Sequence, residues 1–203
     1  MKRLVWTVVG ICIMSVLLAG CSGTKAKGMP PEGTMRITPS SLFEGETKKL
    51  EPHLGLIAGA IKVQYQGTKN MVGSKYEIWE SGKLKNSGNM MGIGFDKQRF
   101  TQEFSVSLKE EKGEPSRYTM TSVFSDRNGF SSAVVNIEEY KAAGWGPRAL
   151  QEPIEVSDDK QPAVWGLIKG KGSEYIRTDE SIEEMAKGAE WALVVKVFME
   201  KKE

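Results

Sequence analysis

The chain has 203 residues, 28 basic and 26 acidic, with a formal charge of +2 and two cysteines. That length suits one domain or two small ones. A balance so near neutral excludes a partner held by a basic field, nucleic acid above all.

Met1-Lys2-Arg3 opens the chain, and Leu4 to Gly20 follow without a charge. A short basic start, an apolar stretch and a small-residue exit are the parts of a secretory signal. Seventeen residues are few for a spanning helix, which needs about 20. The exit, Leu18-Ala19-Gly20-Cys21, resembles the lipobox of bacterial lipoproteins: a leucine, two small residues and a cysteine. The resemblance covers the first 21 residues and is complete within them. It implies that Cys21 receives a diacylglyceryl group and that the chain is cut between Gly20 and Cys21. It also implies a lipid-anchored, extracytoplasmic address at the cell membrane. In a cell with two membranes, Ser22 would allow the outer one. The chemistry agrees, because a thiolate is a good nucleophile toward a lipid donor. Two acyl chains anchor stably where one is marginal, at about 0.8 kcal/mol per buried methylene. The expected partners are the bilayer, through acylated Cys21, and a neighbouring envelope protein.

Loss of residues 1–20 removes Lys2, Arg3 and Cys12, leaving 26 basic against 26 acidic residues and Cys21 as the sole cysteine. The exported domain then has no disulfide, and its core must hold it together. Cys21 and residues 22–34, SGTKAKGMPPEGT, carry no apolar pattern and read as a lipidated cysteine with a flexible tether. A β-rich domain follows over 35–203, with a split into two small domains near 110–116 as the alternative.

A helical turn is expected around PSSLFEGE, where Ser41 and Glu44 have capping-box spacing. His53 stands beside a proline at an expected strand start. Ile61, Val63 and Tyr65 alternate with Lys62, Gln64 and Gln66, as a half-buried strand does. KYEIWESGKLKNSG predicts two strands joined at Ser81-Gly82. Phe100, Gln102, Phe104, Val106 and Leu108 share one face of another strand, opposite Thr101, Glu103, Ser105, Ser107 and Lys109. Asn128-Gly129 between two β-rich runs predicts a type I′ hairpin. A second helical stretch is expected at IEEYKAAGW. Further strands are expected at Pro153 to Val156, Ala163 to Lys169 and Ala189 to Met199, the last apolar on both faces and so mid-sheet. TDESIEEMAKGAEW predicts one short helix near the C-terminus, capped by Thr178 or Asp179 and ended by Gly188. About eight strands and no βαβ alternation predict an antiparallel β-sandwich, immunoglobulin-like or related.

Chemistry is sparse. One histidine and no free thiol in the mature chain argue against a zinc or copper site, and no metal or cofactor is expected. Met71, Met90 and Met91 are the soft-metal candidates, although methionine mostly fills cores. The run from Asp126 lacks the glycine position and final acid of a calcium loop. There is no G-x-S-x-G, and Gly166 to Gly170 is one residue short of a phosphate loop. Adjacent acids such as Glu110-Glu111 and Asp158-Asp159 read as solvated faces. The most unusual local composition is YKAAGWGPRAL, in which Tyr140, Trp145 and Arg148 form a candidate binding surface. The opposing view is that Trp145 plugs the end of a sandwich. Three functions are expected in descending order: a non-enzymatic interaction domain, a lipoprotein that binds a small molecule or peptide, and an envelope hydrolase.

Overall fold

The computed structural model describes residues 28–96, 98–111, 117–137, 145–170 and 180–202. Among them, eleven strands form two antiparallel sheets packed together, so the fold is mainly β and sandwich-like. The first sheet contains β1 (Thr34–Ser40), β2 (Ile57–Gln66), β5 (Arg99–Glu110), β6 (Tyr118–Asp126), β7 (Gly129–Ile137) and β9 (Ile154–Ser157). Its order is β7-β6-β5-β2-β1-β9. The second contains β3 (Met71–Glu80), β4 (Lys83–Gly94), β8 (Gly146–Ala149), β10 (Ala163–Lys169) and β11 (Trp191–Glu200), in the order β4-β3-β11-β10-β8. Two short α-helices, α1 (Glu51–Leu54) and α2 (Ile182–Gly188), and a 3-10 turn at Gly45–Leu50 complete it.

Alternation sets the faces. Phe100, Phe104, Val106 and Leu108 of β5 are buried, as are Met120 and Phe124 of β6. Burying such side chains is worth about 1.5–3 kcal/mol each. They meet Leu167, Leu193, Val195 and Val197 of the second sheet in one core. Trp165 of β10, 2 % exposed, crosses between the sheets. A Cβ on Gly59 of β2 would lie 2.1 Å from its Cδ1, so only glycine leaves room for the indole. β11 is central in its sheet and buried on both faces, because α2 covers its outward Ala192 and Val194.

Several local expectations are corrected. The Asn128-Gly129 pair is not the centre of its turn: Asp126 pairs with Gly129, leaving Arg127 and Asn128 between them. The Asp126 carboxylate accepts the Asn128 N–H at 2.7 Å, and this local bond moves the turn back by one residue. The capping box near 41–47 belongs to Glu44 and Thr47, because the Ser41 hydroxyl instead donates to the Phe43 carbonyl. His53 lies in α1, exposed, not at a strand start. α2 is capped by Ser181, whose hydroxyl accepts the Glu184 N–H; Thr178 and Asp179 lie outside the described residues. Most of IEEYKAAGW also lies outside them. Composition did not mark β1 or β8 as strands, and residues 28–33, part of the tether by composition, lie against the domain. Pro30 is buried, and the Arg36 guanidinium donates to the Gly28 carbonyl. Across residues 110–116, Glu110 of β5 faces Tyr118 of β6, so both flanks belong to one sheet and one core.

A polar tie joins the two sheets where the chain enters the domain. The Tyr65 hydroxyl donates to Asp158 Oδ2 at 2.8 Å and accepts the Lys69 N–H at 3.0 Å. Lys69 Nζ also donates to the Met199 carbonyl of β11, at 3.1 Å. Burial, with Asp158 beside it, pushes the Tyr65 phenol up to about 12. Tyr118 is also raised, chiefly by burial. An unfolded tyrosine ionises near pH 10. Stability tied to Tyr65 is therefore complete below pH 10 and lost as pH rises through about 12. An absorbance titration of phenolate formation is expected to show a late fraction that merges with alkaline unfolding. Titration of all five tyrosines together near the ordinary value would contradict it.

Candidate functional site

The two flanks of the sandwich differ. On one, β4 and β7 approach each other and narrow the gap between the sheets. On the other, β8 and β9 are the edge strands of opposite sheets, joined by residues 150–153. A cleft of about 810 Å³ opens on that second flank. Leu150, Pro162, Ala163, Ile182 and Met185 supply apolar wall, and Arg148, Glu152 and Glu180 supply charge.

Arg148 reaches the cleft by register. It pairs with Gly166 of β10, over which Ile182 of α2 packs, so it stands on the outward face beside the helix start. Its Nη1 donates to the Pro147 carbonyl at 3.0 Å. Its Nε is buried and makes no hydrogen bond among the described residues. Trp145, an odd number of residues away, takes the other face and packs half-buried against the main core. The structure therefore separates the two residues, with Arg148 in the cleft and Trp145 plugging the sandwich. Tyr140, Gly20 and Cys21 lie outside the described residues.

The far wall of the cleft is held by ions. On the outward face of the second sheet, Glu77 Oε1 lies 3.1 Å from Lys75 Nζ and Glu77 Oε2 lies 3.2 Å from Lys196 Nζ. Lys196 Nζ also lies 2.7 Å from Glu183 Oε1 on α2, and the Trp79 indole donates to Glu77 Oε2 at 3.1 Å. Burial alone would raise the Glu77 carboxyl, but hydrogen bonds and charge from Lys75 and Lys196 outweigh it and hold it below its ordinary value. Burial likewise opposes the Lys196 cation, and Glu183 with Glu77 raises it. Sequence reading missed this cluster because its four charged members come from three distant elements.

The remaining chemical candidates are structural. Gly166 sits inside β10, which runs to Lys169, so the stretch before Gly170 is strand rather than phosphate loop. A bulge between Ser74 and Lys75 turns both Met90 and Met91 toward the core, and the Ser122 hydroxyl donates to Met91 Sδ at 3.4 Å. Among the described residues, no group of three or more His, Cys, Asp or Glu is placed to hold a metal ion. Comparison with family models, with curated proteins and with solved structures finds no match.

Proposed function

We propose that the chain is a lipid-anchored, extracytoplasmic interaction domain without catalytic activity of its own, set on a sandwich related to the immunoglobulin-like ones. The observation that carries this reading is Leu18-Ala19-Gly20-Cys21 at the end of an uncharged run behind a basic start. A domain held at a membrane by its first mature residue meets other envelope components at high effective concentration. The neutral mature charge suits a protein partner better than a polyanion.

The cleft beside β8 supports a second reading, capture of a peptide or small amphipathic molecule. Its mixture of apolar wall and few charges is the usual composition of such sites.

Cys21→Ala is expected to leave the protein unprocessed or released from the membrane fraction. Processing and retention like those of the wild type would overturn the anchor. In-cell crosslinking with a C-terminal tag, run on wild type and Cys21→Ala together, separates the two readings. One abundant partner lost with the anchor supports the interaction domain. Its absence, with a small molecule that raises the melting temperature, supports the cleft.

A further inference from the structure

The body of the domain carries a second feature that bears on the membrane, on the face that receives the tether. Gly28 is held there by Arg36, and the Thr101 hydroxyl of β5 donates to Met29 Sδ at 3.9 Å. On that same outward face, Phe130 and Val134 of β7 are 75 % and 62 % exposed. Among the described residues no helix packs on this face, whereas α2 covers the outward face of the other sheet. The outward positions around the two apolar side chains are Thr121, Val123 and Ser125 on β6 and Ser132 on β7, none of them charged. Glu103, beyond Ser125 on β5, and Arg127 in the turn border the pair with charge, and an exposed apolar cluster edged by charged side chains gains by entering the interface between headgroup and acyl chain.

Register places the patch close to the anchor. Thr101 is two residues from Glu103, which faces Ser125, which faces Phe130. With strands about 4.8 Å apart and about 3.4 Å per residue, Phe130 lies about 12 Å from the point where Met29 meets the sheet. From Cys21 to Gly28 the chain spans at most about 25 Å. A lipid on Cys21 therefore brings this face within reach of the bilayer that holds it.

We infer that the outward face of the β6–β7 hairpin rests on the lipid bilayer, with Phe130 as the inserted side chain and Val134 beside it. This rests on the anchored reading above. The anchor then fixes orientation as well as address: the first sheet faces the membrane, and the cleft beside β8 lies on the flank away from the β7 edge, free to receive a partner.

The test uses the full chain, expressed so that it is processed and lipidated. Cys12 leaves with the signal and Cys21 carries the lipid, so Phe130→Cys supplies a single free thiol for a polarity-sensitive fluorophore. Leu50→Cys, in the exposed 3-10 turn that links β1 to β2 at the other end of the sandwich, is the companion. Both are placed in phosphatidylcholine vesicles with quenchers on the acyl chains. The expected result is a blue-shifted, quenched label at Phe130 and an unshifted, unquenched one at Leu50. Co-flotation with equal, absent quenching at both sites overturns the orientation and leaves the anchor intact. A blue shift that grows with protein concentration and is not quenched by lipid assigns the patch to a second copy, and also overturns it. Failure to float with the vesicles removes the anchor itself and this inference with it.

Discussion

Trp165→Ala is expected to cost about 3–5 kcal/mol, the range for emptying a large aromatic site in a core. In a domain of this size that lowers the melting temperature by about 10 °C. The indole is 2 % exposed and spans from β10 to Gly59 on the opposite sheet, so no neighbour can close the hole without moving a strand. Gly59→Ala attacks the same contact from the other side, since its Cβ would meet the ring at 2.1 Å. Overpacking of this kind costs about 1–3 kcal/mol. The two changes are in contact and should not add: in the Trp165→Ala background, Gly59→Ala is expected to cost little or nothing. Thermal melts of the four proteins give the coupling. A full and additive cost of Gly59→Ala in both backgrounds would show that the indole does not hold the sheets apart in this way.

Glu77→Ala is expected to be as damaging, at about 3–5 kcal/mol, because it strands buried lysine charge. The side chain of Glu77 is 6 % exposed, and those of Lys196 and Lys75 are 13 % and 23 %. Lys196 keeps Glu183 as a counter-ion, but Lys75 and the Trp79 indole lose their common acceptor. Glu183→Ala removes a partner whose side chain is 40 % exposed, and so should cost no more than about 1 kcal/mol. The order of the two variants discriminates. Equal, small effects in denaturant titration would mean that water reaches the cluster freely. The pH dependence follows from the direction of the shift. The Glu77 carboxyl is held below its ordinary value, so its contribution is present above the unfolded carboxylate range. It is lost only as pH falls through the depressed folded value, and Glu77→Gln should flatten that acid limb.

These two sites differ in how far the sequence discloses them. The alternation around Phe104 and Leu108 identifies a strand and its buried face, and the apolar run from Trp191 identifies a central one. Neither pattern says that Trp165 lies over Gly59, which is more than a hundred residues distant in the chain. Glu77 reads as an outward polar residue of β3, and it becomes a buried, paired charge only because β3 joins β11, which sets Lys196 beside it, and Lys196 is in turn tied to Glu183 of α2. Of the three residues read as a binding surface, Arg148 lines a cleft and Trp145 faces the core, a division set by strand alternation in β8 once that segment is known to be a strand. β8 and β9 have four residues each, too few for a period to be recognised.

By itself the sequence determined the mainly β character, most long strands, the even balance of charge over residues 21–203 with a single cysteine, and the lipobox resemblance at Cys21. These are local properties, carried by side-chain period, charge count and a contiguous motif. The tertiary structure alone decided the division into two sheets and the position of the Asp126–Gly129 turn. It also decided the burial of Glu77 beside Lys196, the cleft beside β8, and the placing of Phe130 on the same sheet face as Met29. Each of those depends on residues brought together from distant strands, and pairing between strands is chosen by the packing of the whole core rather than by any segment's own preference.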